Sequence, residues 1–128
     1  MNTVEQGRIG EIKSAAHLLS MGFEVYIPYG GNASCDLIVI SPTEALFRVE
    51  VKSVKSRNKS GSYTVILKQT RPNRTGNKVK KFNASQADLL AVYVFPEDRV
   101  YLFETVKLDG KSVYTFTTTH GLLSVGKL

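Results

Sequence analysis

The apolar positions change period along the chain. From residue 3 to about residue 21 they recur at helical spacing, with Ile9, Ile12, Ala16 and Leu19 as the main stripe. Val4, Ala15 and Leu18 form a second row, and a carboxylate, Glu11, stands in that row at the edge of burial, where it needs a partner. Thr3-Val-Glu-Gln6 fits a capping box, with Thr3 as N-cap, and Gly22 supplies the stop. Gly7 and Gly10 interrupt the helix at a cost of about 1 kcal/mol each, which implies that another backbone comes close to them.

Beyond Gly22 the period drops to two. Strands are expected at residues 23–27, 35–40, 46–54, 63–68, 90–95 and 100–103, with a weaker one at 112–118. Residues 41–45 form a hairpin loop, and Pro28 with Gly30-Gly31-Asn32 ends the first strand. Residues 55–61 (KSRNKSG) and 70–81 (TRPNRTGNKVKK) read as two basic loops. A helical turn opened by Asn83 or Ser85 is expected over 84–89. The order is helix, three strands, basic insertion, helix, two strands. It implies an α/β fold, a mixed central sheet flanked by helices, and a length of 128 residues suits a single domain over 1–128.

Charge sharpens the picture. The net charge is +6, and eleven cations lie between Arg48 and Lys81 with one acid, Glu50, among them. Such a block favours a polyanion, nucleic acid before a membrane surface. The backbone expected near Gly7 and Gly10 is then that of protein or of nucleic acid. Lys55, Arg57 and Lys59 sit in a Ser/Gly-rich loop and suit phosphate contacts. Pro72 stiffens the second loop, where Arg71 and Arg74 suit bidentate pairing with guanine. Lys68, Gln69, Lys78, Lys80 and Lys81 complete the expected DNA-binding set, and Gln69 could equally be a surface amide. Tyr26 and Tyr29 either stack on bases or cover the edge of the core. No apolar run approaches a membrane span, and one cysteine, Cys35, with no basic-then-apolar leader fits the cytoplasm, the host's if a mobile element encodes the chain.

The strand RVEVKS, residues 48–53, carries the chemistry. Arg48, Glu50 and Lys52 share one face, and Val49 and Val51 the other. A hairpin centred on Thr43 sets Ile40 opposite Leu46, Ile38 opposite Arg48 and Asp36 opposite Glu50. Directly opposed residues have Cβ atoms about 4.5–5.5 Å apart, so the two carboxylates repel. A divalent cation held by Asp36, Glu50 and the Val51 carbonyl would offset that, and Mg²⁺ suits a few oxygen ligands and several waters, with Mn²⁺ as a substitute. Lys52 would then orient or activate a water. The competing reading is a plain surface ion pair of Glu50 and Lys52, worth under about 1 kcal/mol.

The stretch GRIGEIKSAAHLLSMGFEVYIP, followed by CDLIVI and VEVKS, resembles the PD-(D/E)XK nuclease superfamily, with Asp36…Glu50-Val51-Lys52 as its motif and Cys35 in place of the motif's Pro. It is similar to archaeal Holliday-junction resolvases and to group I intron-associated homing endonucleases. NASQADLLAVYVFPEDRVYLF is similar to the close of the latter, so the resemblance spans roughly residues 6–103. It implies a restriction-endonuclease-like core (α-β-β-β-α-β) in which Glu11, Asp36, Glu50 and Lys52 are catalytic and bind Mg²⁺. The expected activity is a metal-dependent deoxyribonuclease of homing type. The alternatives are a resolvase or other structure-specific nuclease, and a non-catalytic DNA-binding module. The expected partners are double-stranded or branched DNA and a second copy of the chain, because cutting both strands with one site per chain takes at least a dimer. The apolar tail 121–125 (GLLSV) either makes that contact or closes the core.

Overall fold

A computed structural model describes residues 1–30, 33–73 and 76–118, with the backbone alone at 69–73 and 76–80. Helix α1 spans Thr3–Ser20 and begins at the residue expected to cap it, one position early. Asn2, not Thr3, is the N-cap: its side chain accepts the Glu5 N–H at 2.9 Å and donates to the Glu5 carboxylate at 3.1 Å. Asn2 and Glu5 thus do what Thr3 and Gln6 were expected to do, displaced by one position.

The apolar stripe also needs correction. Gly10, Ser14 and Leu18 are buried against the sheet, whereas Ile12 and Leu19 are 67% and 58% exposed. Close approach is the reason. A Cβ added at Gly10 would lie 2.2 Å from Ser53 Oγ, and that hydroxyl donates to the Gln6 carbonyl at 3.3 Å. Where the helix runs nearest the strand it admits only small residues, Gly10 and Ser14, so Ile12 and Leu19 lie outward while Leu18 enters the core one turn on.

The strands are β1 (Glu24–Tyr26), β2 (Leu37–Ile40), β3 (Leu46–Val54), β4 (Tyr63–Ile66), β5 (Gln69–Asn73), β6 (Gly76–Lys80), β7 (Leu89–Val94), β8 (Arg99–Glu104) and β9 (Val113–Phe116). Five of them form a mixed sheet in the order β1-β2-β3-β7-β8, with β3 and β7 parallel and the other pairs antiparallel. The β2–β3 register is the expected one, with Ile40 opposite Leu46 and Ile38 opposite Arg48. A parallel pair needs a long crossover. Residues 55–88 make it, and they hold β4, the β5–β6 ribbon and a short 3₁₀ turn at Ala84–Gln86.

That turn, opened by Asn83, is what remains of the helix expected over 84–89. The second face of the sheet is therefore covered by the antiparallel pair β4–β9 in place of a helix, while the mixed α/β class stands. One core lies between α1 and the sheet and includes Leu18, Phe23, Val39, Val49, Val51 and Ala91. The other lies beneath β4–β9 and includes Val54, Tyr63, Leu90, Val92, Phe103 and Phe116. All six residues of β7 are buried, as a strand covered on both faces requires.

The second basic loop is corrected to a hairpin: β5 and β6 pair Gln69 with Lys80, Arg71 with Lys78 and Pro72 with Asn77. Both strands of an isolated ribbon are edges, so Pro72 is tolerated.

Candidate active site

Residues 50 and 52 of β3 share a face with Leu90 and Val92, their parallel neighbours on β7. Farther along β3, Val54 lies beneath the β4–β9 cover. Glu50 and Lys52 thus stand at the margin of that core, their side chains 17% and 21% exposed. This face is therefore largely shielded from solvent, at the margin of a core built by strands distant in sequence. Lys52 Nζ lies 3.6 Å from Glu50 Oε1.

Asp36 immediately precedes β2 and is fixed by two backbone bonds to β3. Its N–H donates to the Val49 carbonyl at 2.9 Å, and its carboxylate accepts the Val51 N–H at 2.8 Å. The carboxylate stands where a partner strand's carbonyl would be. The N–H and C=O of a strand residue point to the same side, so the Val51 carbonyl also faces the Asp36 side of β3. The Glu50 carboxyl is pushed up to about 7, first by burial and then by the Asp36 charge, with Lys52 opposing both. Glu11 is raised as well, first by burial and then by Asp36, with Arg8 opposing. Asp36 is therefore the shared member, with Glu50 on one side and Glu11 on the other.

Among the described residues no three His, Cys, Asp or Glu side chains gather at one point. Glu11 lies against Asp36, with which it interacts through charge and a hydrogen bond. The remaining donor set, two carboxylates and the Val51 carbonyl, is all hard oxygen. It fits a cation that keeps several waters.

The expected DNA-binding residues divide. Lys55, Lys59, Lys68 and Lys81 are exposed. Arg57 is not a free cation: it donates to Tyr63 Oη at 3.0 Å and to Glu97 Oε2 at 2.9 Å, and it lies over the Tyr63 ring. Tyr63 and Tyr101 also donate to the Glu97 carboxylate, so Arg57 ties the 55–61 loop to the β7–β8 turn. Sequence reasoning placed Glu97 in a turn and the tyrosines in strands. The signal that could have joined them is that a buried tyrosine hydroxyl needs a partner. Positions 69, 71, 78 and 80 share one face of the ribbon by register. Arg74 and the tail 121–125 lie outside the described residues.

Arg48 is likewise structural. Its guanidinium and its N–H hold the Asp88 carboxylate at 2.8 to 3.2 Å, and the Asp88 N–H returns to the Arg48 carbonyl at 2.8 Å.

A helix on a mixed sheet, with Asp36 opposite a Glu-X-Lys strand, is the architecture of a metal-dependent nuclease. The sequence profile of the PD-(D/E)XK endonuclease family matches residues 1–120, and the chain belongs to that family. It is a nuclease acting on DNA, from a family that generally uses divalent metal ions. Among solved structures it is similar to a bacterial homing endonuclease, I-Ssp6803I, with a TM-score of 0.77 and 27% identity over 94% of this chain and 81% of that one. No curated protein matches the chain. Among the described residues no helix is long and apolar enough to cross a membrane.

Proposed function

We propose that the chain is a Mg²⁺-dependent DNA endonuclease of homing type, with Asp36, Glu50 and Lys52 as its catalytic group and Glu11 in support. The observation that carries this reading is the pressing together of Asp36 and Glu50 at a half-buried strand margin, with Lys52 beside them. The homing type rests on the likeness to I-Ssp6803I. Asp36, Glu50 and the Val51 carbonyl would hold Mg²⁺, with Mn²⁺ able to replace it. A bound divalent cation supplies charge stabilisation to phosphoryl transfer and lowers the pKa of a water. The chain's own residues do the rest. The Val51 N–H holds Asp36 in one orientation, and the apolar neighbours Leu90 and Val92 keep bulk water from Glu50. Lys52 donates hydrogen bonds to the attacking water or to a phosphate oxygen.

Lys55, Lys59, Lys68 and Lys81 supply phosphate contacts. The β5–β6 ribbon supplies the sequence reader, since the major groove admits a two-stranded ribbon. Cleavage of both strands takes at least two chains. The domain is read as a single nuclease unit over 1–128.

The deciding experiment compares cleavage of linear duplex and of a four-way junction, with Mg²⁺ or with EDTA. Cleavage of duplex at preferred sequences in Mg²⁺, abolished by EDTA, is expected. Selection of junctions with no duplex preference would replace the homing reading by that of a resolvase.

Lys52→Met is expected to fold, because it retains the half-buried stem, and to cut about 10²-fold or more slowly through loss of the ammonium. Stopped-time cleavage assays on the folded variant check this, and unchanged turnover would remove Lys52 from the mechanism.

A further inference from the structure

An open cleft of about 600 Å³ runs beside the first two turns of α1, lined on the helix side by Thr3, Val4, Gly7, Arg8 and Glu11. Ile27, Pro28, Tyr29 and Asp36 are on the facing side. From Thr3 to Glu11 the helix rises about 12 Å, so the cleft leads from open surface to the Asp36–Glu11 pair.

Three features of this cleft are not accounted for by packing within the chain. Gly7 is in the helix interior, where glycine is less favourable than alanine. Gly10, one turn on, is explained by Ser53, but a Cβ at Gly7 would meet no described atom within 4 Å. Arg8 is exposed, and its interaction within the chain is a charge attraction to Glu11, with no hydrogen bond or close ion pair to a described residue. Ile27 and Tyr29 present large apolar surface to solvent, Tyr29 completely. A bare helix surface, an exposed guanidinium and an exposed ring together complement a sugar–phosphate chain. Guanidinium pairs with phosphate, and the ring offers a flat surface to a sugar or base.

We infer that this cleft seats the backbone of the strand being cut, on one side of the scissile phosphate: Gly7 admits it against the helix, Arg8 pairs with the neighbouring phosphate, and Tyr29 packs on the sugar. The inference rests on the nuclease reading above and deepens it. These residues bind and position the substrate and take no part in the bond-breaking step.

Three substitutions in the full chain test it, read by thermal melting, by single-turnover cleavage of duplex DNA and by the salt dependence of binding. Gly7→Ala is expected to melt at higher temperature, because alanine favours the helix, and yet to cut at least 10-fold more slowly. A purely structural role would not separate those two readouts. Arg8→Ala is expected to lower the slope of log K against log salt by about 1, with Arg8→Lys recovering most of it. Tyr29→Ala is expected to cut several-fold more slowly, with Tyr29→Phe recovering most of that loss because it keeps the ring. If Gly7→Ala, Arg8→Ala and Tyr29→Ala all bind and cut as wild type while Asp36→Asn is inactive, the nuclease reading stands and the cleft is not a DNA seat. A wild-type protein that cuts no DNA in Mg²⁺ would remove the nuclease reading and the cleft with it.

Discussion

Asp36→Asn is expected to abolish cleavage while leaving the fold and DNA affinity nearly unchanged. The asparagine Oδ1 can still accept the Val51 N–H that Asp36 accepts at 2.8 Å, so the local backbone bond survives and no cavity opens. What is lost is one of the two carboxylates that would hold the cation. Such a cation contributes several kcal/mol of transition-state stabilisation, so a loss of about 10³-fold or more is expected. Affinity should hold within a few-fold, because the cationic surface is intact and one negative charge near the phosphates is gone. Cleavage rates and equilibrium binding on one preparation check both halves. A folded Asp36→Asn protein cutting at near wild-type rate would show that the site is misplaced.

Glu50→Gln is expected to be inactive and, without metal, more stable than wild type at alkaline pH. The Glu50 carboxyl is raised from 4.5 to about 7 in the folded chain, mainly by burial and then by Asp36. Between those values the folded state holds a proton that the unfolded state has released. Stability from this group is therefore fully present below about pH 4.5 and is lost as pH rises through about 7. The wild-type protein in EDTA should lose on the order of 1–3 kcal/mol across that window, and Glu50→Gln should escape the loss. Melting curves in EDTA at pH 5 and pH 8 measure it: the two proteins should differ little at pH 5, with Glu50→Gln higher at pH 8. Equal melting at pH 8 would mean that Glu50 is not held in an unfavourable charged state.

The β2–β3 register, which brings Asp36 to the Glu-X-Lys strand, was legible because it rests on local facts: two alternating strands, one short loop and one centre of symmetry. The side of α1 that meets the sheet was not. Two apolar rows competed, and the contact is made by Gly10 and Ser14, whose small size matters more than their hydrophobicity. The burial of Lys52 was hidden for another reason, since its cover is built from β4 and β9, and β9 lies far along the chain. The β5–β6 ribbon was read as a loop because its alternation carries no apolar face. Arg57 looked like a free loop cation, and only the fold brings Glu97 to it. Family membership was legible from motifs that are themselves local: the helix before the first strand, and the Asp and Glu-X-Lys strands.

The Arg48–Asp88 clamp has a bearing on how such a protein could change its target. It closes the crossover at its base, and the parallel pairing of β3 with β7 begins immediately beyond it. Within the crossover, the β5–β6 ribbon is a closed excursion flanked by the core residues Leu67 and Phe82, whose N–H groups bond to the Ser112 and Lys111 carbonyls. Doubling the length of such an excursion costs only about 0.6 kcal/mol in closure entropy. The ribbon is in effect an exchangeable cassette. On the proposed reading, in which the ribbon contacts the major groove, a ribbon of different length or sequence could be grafted there without moving Asp36, Glu50 or Lys52, and new cutting specificities would be accessible without rebuilding the blade.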